Sequence, residues 1–212
     1  MILRQKKINK IILFGGSIIL LDVAKRLKKE NLIIEVYSSN RLLNDIVNSN
    51  GSLKANLILE KIKHYSTNNI NKCKELKKSI TANSLGIGFG ETWSFEKKTI
   101  NQFNGYLLDY MGIPLPRYRG GAHFTWMIMQ NEKNNGACLQ LINEDMIQGV
   151  YDSGEILLEI KFKNNSNWNI NDYFTKQTII AIKLILKFLK IINKKDIKGK
   201  KINENNSFYL PR

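Results

Sequence analysis

The chain has 212 residues, 43% of them hydrophobic, and 33 basic against 18 acidic side chains give a formal net charge of +15. This length suits one domain with a sizeable core, and the ordinary apolar content excludes a disordered chain. No run of about 18 uncharged apolar residues occurs, so no membrane-spanning helix is predicted.

The basic charge is concentrated at the two ends of the chain. Residues 1–83 carry 16 basic and 6 acidic side chains and residues 164–212 carry 10 and 3, whereas residues 84–163 carry 7 and 9. A nucleic-acid-binding protein typically shows basic residues interleaved with aromatic ones on one element, and no such stripe occurs here. We therefore interpret the charge as a lysine-rich, solvated surface.

The cysteines and the N-terminus indicate a cytoplasmic protein. Cys73 and Cys138 are far apart and have no metal-ligand spacing, so we predict reduced thiols and no metal site. The basic and then apolar N-terminus resembles a signal peptide, but it lacks a small-residue cleavage site and its apolar run breaks at a glycine pair. A buried strand followed by a turn explains this pattern better.

A strand, a glycine turn, a helix and a second strand are predicted near the N-terminus. Residues 10–14 and 32–37 are short apolar runs typical of buried strands, and Ser17 can cap a helix over residues 18–29. Such a βαβ unit predicts a mainly parallel, Rossmann-like α/β sheet flanked by helices. The glycine pair does not complete the dinucleotide-binding pattern, so we interpret it as a tight turn.

Apolar patterns predict further elements along the rest of the chain. Strands are expected at residues 58–63, 84–89, 106–109, 137–142 and 154–162. Helices are expected at residues 41–47, 70–80, 123–131 and 171–193, the last with a lysine stripe on one face. We expect an α/β domain over residues 1–195 and a polar C-terminal tail over residues 196–212.

An ordered set of short motifs lies in the slightly acidic middle of the chain. Residues 115–120 read Leu-Pro-Arg-Tyr-Arg-Gly, residues 126–128 read Trp-Met-Ile, and residues 152–156 read Asp-Ser-Gly-Glu-Ile. Their order and spacing resemble the folate-dependent formyltransferase family, over residues 9–163. The resemblance implies a Rossmann-like fold with its site at the carboxyl ends of the strands, and 10-formyltetrahydrofolate as the cofactor.

The resemblance also implies catalytic positions, two of which are changed in this chain. The family's catalytic Asp falls on Asp152, its Asn on Asp109 and its His on Met111. In the family, Asn and His donate hydrogen bonds to the oxyanion of a tetrahedral intermediate, and losing one such donor typically costs about 10²–10³ in rate. Because methionine donates nothing and an ionised Asp109 repels the oxyanion, the standard mechanism cannot operate unchanged.

Two substitutes for the lost donors are left open. Asp109 could lie close enough to Asp152 for charge repulsion to favour its protonated, hydrogen-bond-donating form. Alternatively, His123 at the start of a predicted helix could reach the vacant histidine position, although a backbone contact is the more ordinary role for such a residue. For the folate, the resemblance points to five contact residues: Phe89, Gly90, Leu115, Asp145 and Val150.

Three functions are consistent with this pattern. We favour formyl transfer to a small-molecule amine, with an amino-sugar nucleotide as the expected acceptor because the chain ends soon after the Asp152 loop. The alternative is a catalytically impaired relative that keeps the pocket and binds a ligand or partner. The least favoured is a basic nucleic-acid-binding module. No membrane partner is expected, and a homodimer is left open.

Overall fold

The computed structural model describes residues 1–90, 93–120, 123–144, 152–165, 167–203, 205 and 207–210. Its strands are β1 (Ile2–Leu3), β2 (Lys10–Gly15), β3 (Ile33–Ser38), β4 (Ile46–Asn48), β5 (Gly51–Ser52), β6 (Lys63–Ser66), β7 (Ser84–Phe89), β8 (Leu107–Met111), β9 (Tyr118–Gly120), β10 (Asn134–Leu141), β11 (Ile156–Lys163), β12 (Ile197–Lys198) and β13 (Phe208–Leu210). Its helices are α1 (Ile18–Lys28), α2 (Asn40–Asn44), α3 (Leu53–Leu59), α4 (Lys74–Ser79), α5 (Lys97–Gln102), α6 (His123–Met129) and α7 (Ile170–Ile192).

A seven-stranded sheet organises the molecule, in the order β11-β10-β8-β7-β2-β3-β6. The five strands from β8 to β6 are parallel, and β10 and β11 complete one edge as antiparallel neighbours. The chain winds outward in one direction from β2 to β6 and in the other from β7 to β10. The carboxyl ends of β2 and β7 therefore flank the switch point at which open α/β sheets bind their ligands. The mainly parallel Rossmann-like sheet is confirmed.

The predicted N-terminal βαβ unit is present. β2 and β3 pair in parallel, and α1 connects them. The Ser17 side chain accepts a hydrogen bond from the backbone N–H of Leu20, which caps α1 as expected. The prediction of a strand at residues 58–63 is wrong, because α3 ends at Leu59 and the strand β6 begins only at Lys63. Ser52 caps α3, and Leu53 and Leu57 form its buried face at helical spacing.

Two cores cover the two faces of the sheet. The back core lies under α1 and α7 and contains Leu20, Leu108 and Leu184 among its buried side chains. The front core lies under α4 and α5 and contains Phe14, Leu107 and Ile142. Lysines at positions 183, 187 and 190 are exposed on α7, so the expected solvated lysine stripe is confirmed.

The C-terminal segment is attached to the rest of the molecule by two short strands. β12 pairs with β1 antiparallel, and β13 pairs with β9 in parallel. The backbone N–H of Phe208 also donates to the carbonyl of Arg117. The division at residue 195 therefore stays a prediction, and the segment after it packs on the α/β domain. Within the part of the chain that the structure describes, no helix has the length and apolar character needed to span a membrane.

Candidate functional site

One row of the central sheet carries polar side chains on its front face. Asp109 on β8 lies directly opposite Gln140 on β10, and on its other side it lies opposite Gly88 on β7. Residues next to them along the strands, such as Leu108 and Leu141, point into the back core, so alternation turns Asp109 and Gln140 to the front. Asp109 is 9% exposed and Gln140 is 0% exposed. We call this pair the polar row.

Apolar side chains close the polar row on both sides. Two residues further along β8, Met111 lies opposite Cys138, and both belong to a third buried cluster. On the other side, Leu107 and Ile142 belong to the front core. The polar row is therefore a low-dielectric site in which a hydrogen bond or charge acts strongly. It also means that the position of the family's histidine is filled by a packed methionine.

The carboxylate of Asp152 is brought to the same part of the sheet. Asp152 lies in the turn before β11, is 7% exposed and adopts a left-handed backbone conformation with φ of 57°. Burial raises the pKa of Cys138, and the charges of Asp109, Glu159 and Asp152 raise it further. Asp109 and Asp152 are far apart in the sequence, yet both lie within electrostatic range of one buried thiol.

The Leu-Pro-Arg-Tyr bend packs beside these residues. Leu115 and Tyr118 share the third cluster with Cys138 and with Ile156, which begins β11 just after the Asp152 turn. The Tyr118 hydroxyl donates to Glu132 Oε2 at 2.5 Å, which anchors the bend to the end of α6. The two motifs that carry the family resemblance therefore meet through one set of buried contacts.

The predicted folate contacts have different surroundings. The Phe89 ring stacks on Tyr110 in the back core, with ring centroids 5.3 Å apart, on the face opposite Asp109. Gly90 has φ of 63°, and a Cβ built on it would meet no atom of the described residues within 4 Å. Leu115 is buried in the third cluster. Asp145 and Val150 lie outside the described residues.

His123 is the first residue of α6, as expected. Its backbone is described but its side chain lies outside the described residues, so its approach to Asp152 stays a prediction.

A cavity of about 450 Å³ lies beside the amino end of β8 and the end of β10, and its lining among the described residues does not include Asp109, Gln140 or Asp152. Ile100 and Ile142 contribute to its apolar lining, and its polar lining includes Asn101, Asn104 and Glu155. Ile142 lies two residues beyond Gln140, and its backbone N–H donates to the carbonyl of Leu107 at 3.0 Å. Glu155 follows the Asp152 turn, so the cavity lies between the front core and that turn.

Gln140 is the polar residue at this site that the sequence analysis missed. The strand around it reads Ala-Cys-Leu-Gln-Leu. A glutamine within such an apolar strand is the feature of the sequence that could have indicated a functional residue here. Its position beside Asp109 depends on the pairing of β8 with β10, which no local pattern reveals. Within the described ranges, no three His, Cys, Asp or Glu side chains cluster as metal ligands.

The Asp152 turn is held in place by a close backbone crossing at Gly154. A Cβ built on Gly154 would lie 1.8 Å from the carbonyl oxygen of Leu141. We therefore expect Gly154→Ala to displace the turn, to lower the free energy of unfolding by about 1–3 kcal/mol, and to reduce any turnover that depends on Asp152. Chemical denaturation and a rate measured well below the melting temperature check both effects.

Gly51→Ala is a matched control for this prediction. Gly51 has φ of +104°, but among the described residues a Cβ there would meet only Ala55 Cβ, at an ordinary 3.9 Å, and Gly51 is far in sequence from the polar row. This variant should lose stability through backbone strain and keep its turnover rate while folded. Equal rates in the two variants would show that the position of the Asp152 turn is not needed for turnover.

Curated proteins related in sequence are methionyl-tRNA formyltransferases, whereas no protein-family model matches the chain. The enzyme of Prochlorococcus marinus (strain MIT 9215) is 31% identical over 136 residues, which cover 64% of this chain and 39% of that protein. That of Prochlorococcus marinus (strain MIT 9312) is 28% identical over 157 residues, covering 72% and 44%. The chain spans about two fifths of the length of these curated relatives.

Solved structures of formyltransferases share the fold. The N-formyltransferase from Helicobacter canadensis, solved with folinic acid and dTDP-3-aminofucose, superposes with a TM-score of 0.71 at 19% identity, covering 97% of this chain and 71% of that one. Phosphoribosylglycinamide formyltransferase from Bacillus halodurans superposes with a TM-score of 0.66 at 13% identity, covering 87% and 96%. The fold is therefore that of the Rossmann-like formyltransferases. The chain is thus similar to formyltransferases both in sequence and in fold.

Proposed function

We propose that this protein transfers a formyl group from 10-formyltetrahydrofolate to an amine on a small molecule, with an amino-sugar nucleotide as the acceptor. The observation that carries the proposal is the burial of both carboxylates, Asp109 in the polar row and Asp152 in the turn before β11, at two positions that the family resemblance assigns to catalysis. The complex of the Helicobacter canadensis enzyme with folinic acid and dTDP-3-aminofucose supports the choice of both ligands.

We propose that the cavity at the amino end of β8 takes the pterin end of a folate. Its volume of about 450 Å³ lies within the range of small-molecule sites. Ile100 and Ile142 can cover the faces of a planar ring, while Asn101 and Asn104 offer amide donors and acceptors to its polar edge. We propose that a folate bound in this cavity extends along β8, from Leu107 toward Asp109.

The residues of this chain have defined roles in the proposed reaction. 10-Formyltetrahydrofolate supplies an activated formyl group. The amine nitrogen forms a bond to the formyl carbon, the proton that it loses passes to Asp152, and the bond from that carbon to N10 breaks as the proton is delivered to N10. A formamide and tetrahydrofolate result. Asp109 in its protonated form, or His123, is proposed to donate a hydrogen bond to the formyl oxygen.

Two observations favour other functions. The curated relatives are methionyl-tRNA formyltransferases, which favours a charged tRNA as the acceptor. The buried Met111 occupies the family's histidine position, which favours a relative that binds folate without turning over.

A turnover assay separates these functions. The protein is incubated with 10-formyltetrahydrofolate and, separately, dTDP-linked 3-amino and 4-amino sugars, phosphoribosylglycinamide and methionyl-tRNA, and tetrahydrofolate release is followed. We expect release with an amino-sugar nucleotide and a formylated product by mass spectrometry. Release with methionyl-tRNA alone would replace the proposed acceptor. Measurable folinic acid binding without release from any acceptor would identify the non-catalytic relative.

A further inference from the structure

The side chain of Gln140 is fully buried and lacks hydrogen-bond partners. It is 0% exposed, and neither its Nε2 nor its Oε1 has a partner among the residues that the structure describes. An unpaired buried amide costs free energy, and native proteins rarely keep one without a reason. This amide therefore has room for a donor and an acceptor that the described residues do not provide.

Gln177 is a second buried glutamine, and its side chain has hydrogen-bond partners within the protein. It is also 0% exposed, but its Oε1 accepts from the Tyr110 hydroxyl at 2.6 Å and its Nε2 donates to the carbonyl of Gly112 at 3.0 Å. Gln177 lies behind the sheet, on α7, and its amide is satisfied by protein atoms. Of these two buried glutamines, the one without hydrogen-bond partners among the described residues is thus Gln140, on the front face beside Asp109.

The surroundings of Gln140 indicate which ligand atoms would pair with it. Directly opposite is Asp109, and Met111 and Cys138 fill the next position along the two strands without a strong donor. A carbonyl oxygen that gains negative charge needs an N–H donor here, and the amide Nε2 is neutral and permanently protonated. The Oε1 atom can in turn accept a hydrogen bond from an amine N–H.

We propose that Gln140 is a catalytic residue of the formyl transfer: its Nε2 donates to the formyl oxygen as charge develops there, and its Oε1 accepts from the attacking amine. This inference rests on the proposed function and deepens it. One amide would orient both reacting partners and would supply a neutral donor, which Met111 cannot. The donor would act independently of the protonation state of Asp109.

The variant Gln140→Leu tests this role, with Gln177→Leu as its control. Leucine fills a similar volume and removes both polar atoms. For Gln140→Leu we expect kcat to fall about 10²–10³-fold, while the melting temperature stays equal or rises, because an unpaired amide has been removed. For Gln177→Leu we expect a lower melting temperature, since the hydroxyl of Tyr110 and the carbonyl of Gly112 lose their partner.

The outcomes separate this inference from the proposed function. An active wild type together with a Gln140→Leu variant of unchanged kcat would overturn the inference alone. A lower melting temperature of Gln140→Leu, comparable to that of Gln177→Leu, would also overturn it, because the amide would then be partnered within the protein. A wild type that releases no tetrahydrofolate with any acceptor would overturn the proposed function, and this inference with it.

Discussion

Replacing Asp152 with asparagine is expected to lower formyl transfer by about 10²–10⁴-fold, the usual contribution of a general acid or base. The substitution keeps the shape of the side chain and removes its ability to accept a proton from the amine. Asparagine also tolerates the left-handed conformation at this position, where φ is 57°. The turn before β11 should therefore stay in place, and folinic acid binding and the melting temperature should change little.

A matched control for this substitution is Asp196→Asn. Asp196 pairs with Arg4 at 2.9 Å on the surface, and both side chains are substantially exposed. The same chemical change there should leave kcat unchanged, because exposed ion pairs contribute little and Asp196 lies outside the site. If Asp152→Asn were as active as Asp196→Asn, Asp152 would have no part in proton transfer.

The second large effect is expected at Glu35, which is buried between β2 and β6. Its carboxylate contacts Lys10 Nζ at 3.1 Å and Lys63 Nζ at 3.2 Å, and it accepts hydrogen bonds from Tyr37 and Ser79. Glu35→Gln leaves the buried ammonium of Lys10 without its counter-charge. Removing one partner of a buried pair typically costs about 3–5 kcal/mol, which equilibrium denaturation at neutral pH would measure.

The Glu35 carboxylate also predicts a pH dependence of stability. Burial alone would raise the pKa of Glu35, but hydrogen bonds from Ser79 and Lys10 and the charge of Lys10 lower it below its ordinary value of 4.5. The stabilisation is therefore complete above that value and is lost as the pH falls through the lowered pKa. Glu35→Gln should show a shallower loss of stability over the same acidic range.

The exposed partner in this network provides the control. The Lys63 side chain is 61% exposed, so Lys63→Gln should cost only about 0–1 kcal/mol. A loss of stability from Glu35→Gln no larger than that from Lys63→Gln would show that the buried carboxylate contributes little.

Local sequence patterns were sufficient to predict most of the strands and helices of the fold. The alternation of apolar runs with capped amphipathic helices predicted β2, α1, β3 and α7, because burial of one face and capping of one end are properties of short segments. The same reasoning misassigned residues 58–63, where an apolar run belongs to the end of α3 instead. A short apolar run alone does not distinguish a buried helix from a strand.

The sequence predicted residues of the candidate site only where they belong to the motifs that resemble the family. The resemblance located Asp109 and Asp152, and the structure adds that both side chains are buried. The position of Gln140 beside Asp109 could not be predicted, because it depends on the register of β8 against β10. The direction of the Phe89 ring likewise follows from the strand pleat and its contact with Tyr110, which are long-range properties of the folded sheet.

A crystal structure of the protein with a non-reactive folate analogue that carries its formyl group at the N10 position tests the central claim most directly, because the formyl group of such a ligand marks where the transferred carbon lies. The account predicts a formyl oxygen within about 3.5 Å of Gln140 Nε2, on the side of the polar row that faces Asp152. A folate bound elsewhere, with its formyl group out of reach of Asp109, Gln140 and Asp152, would contradict it.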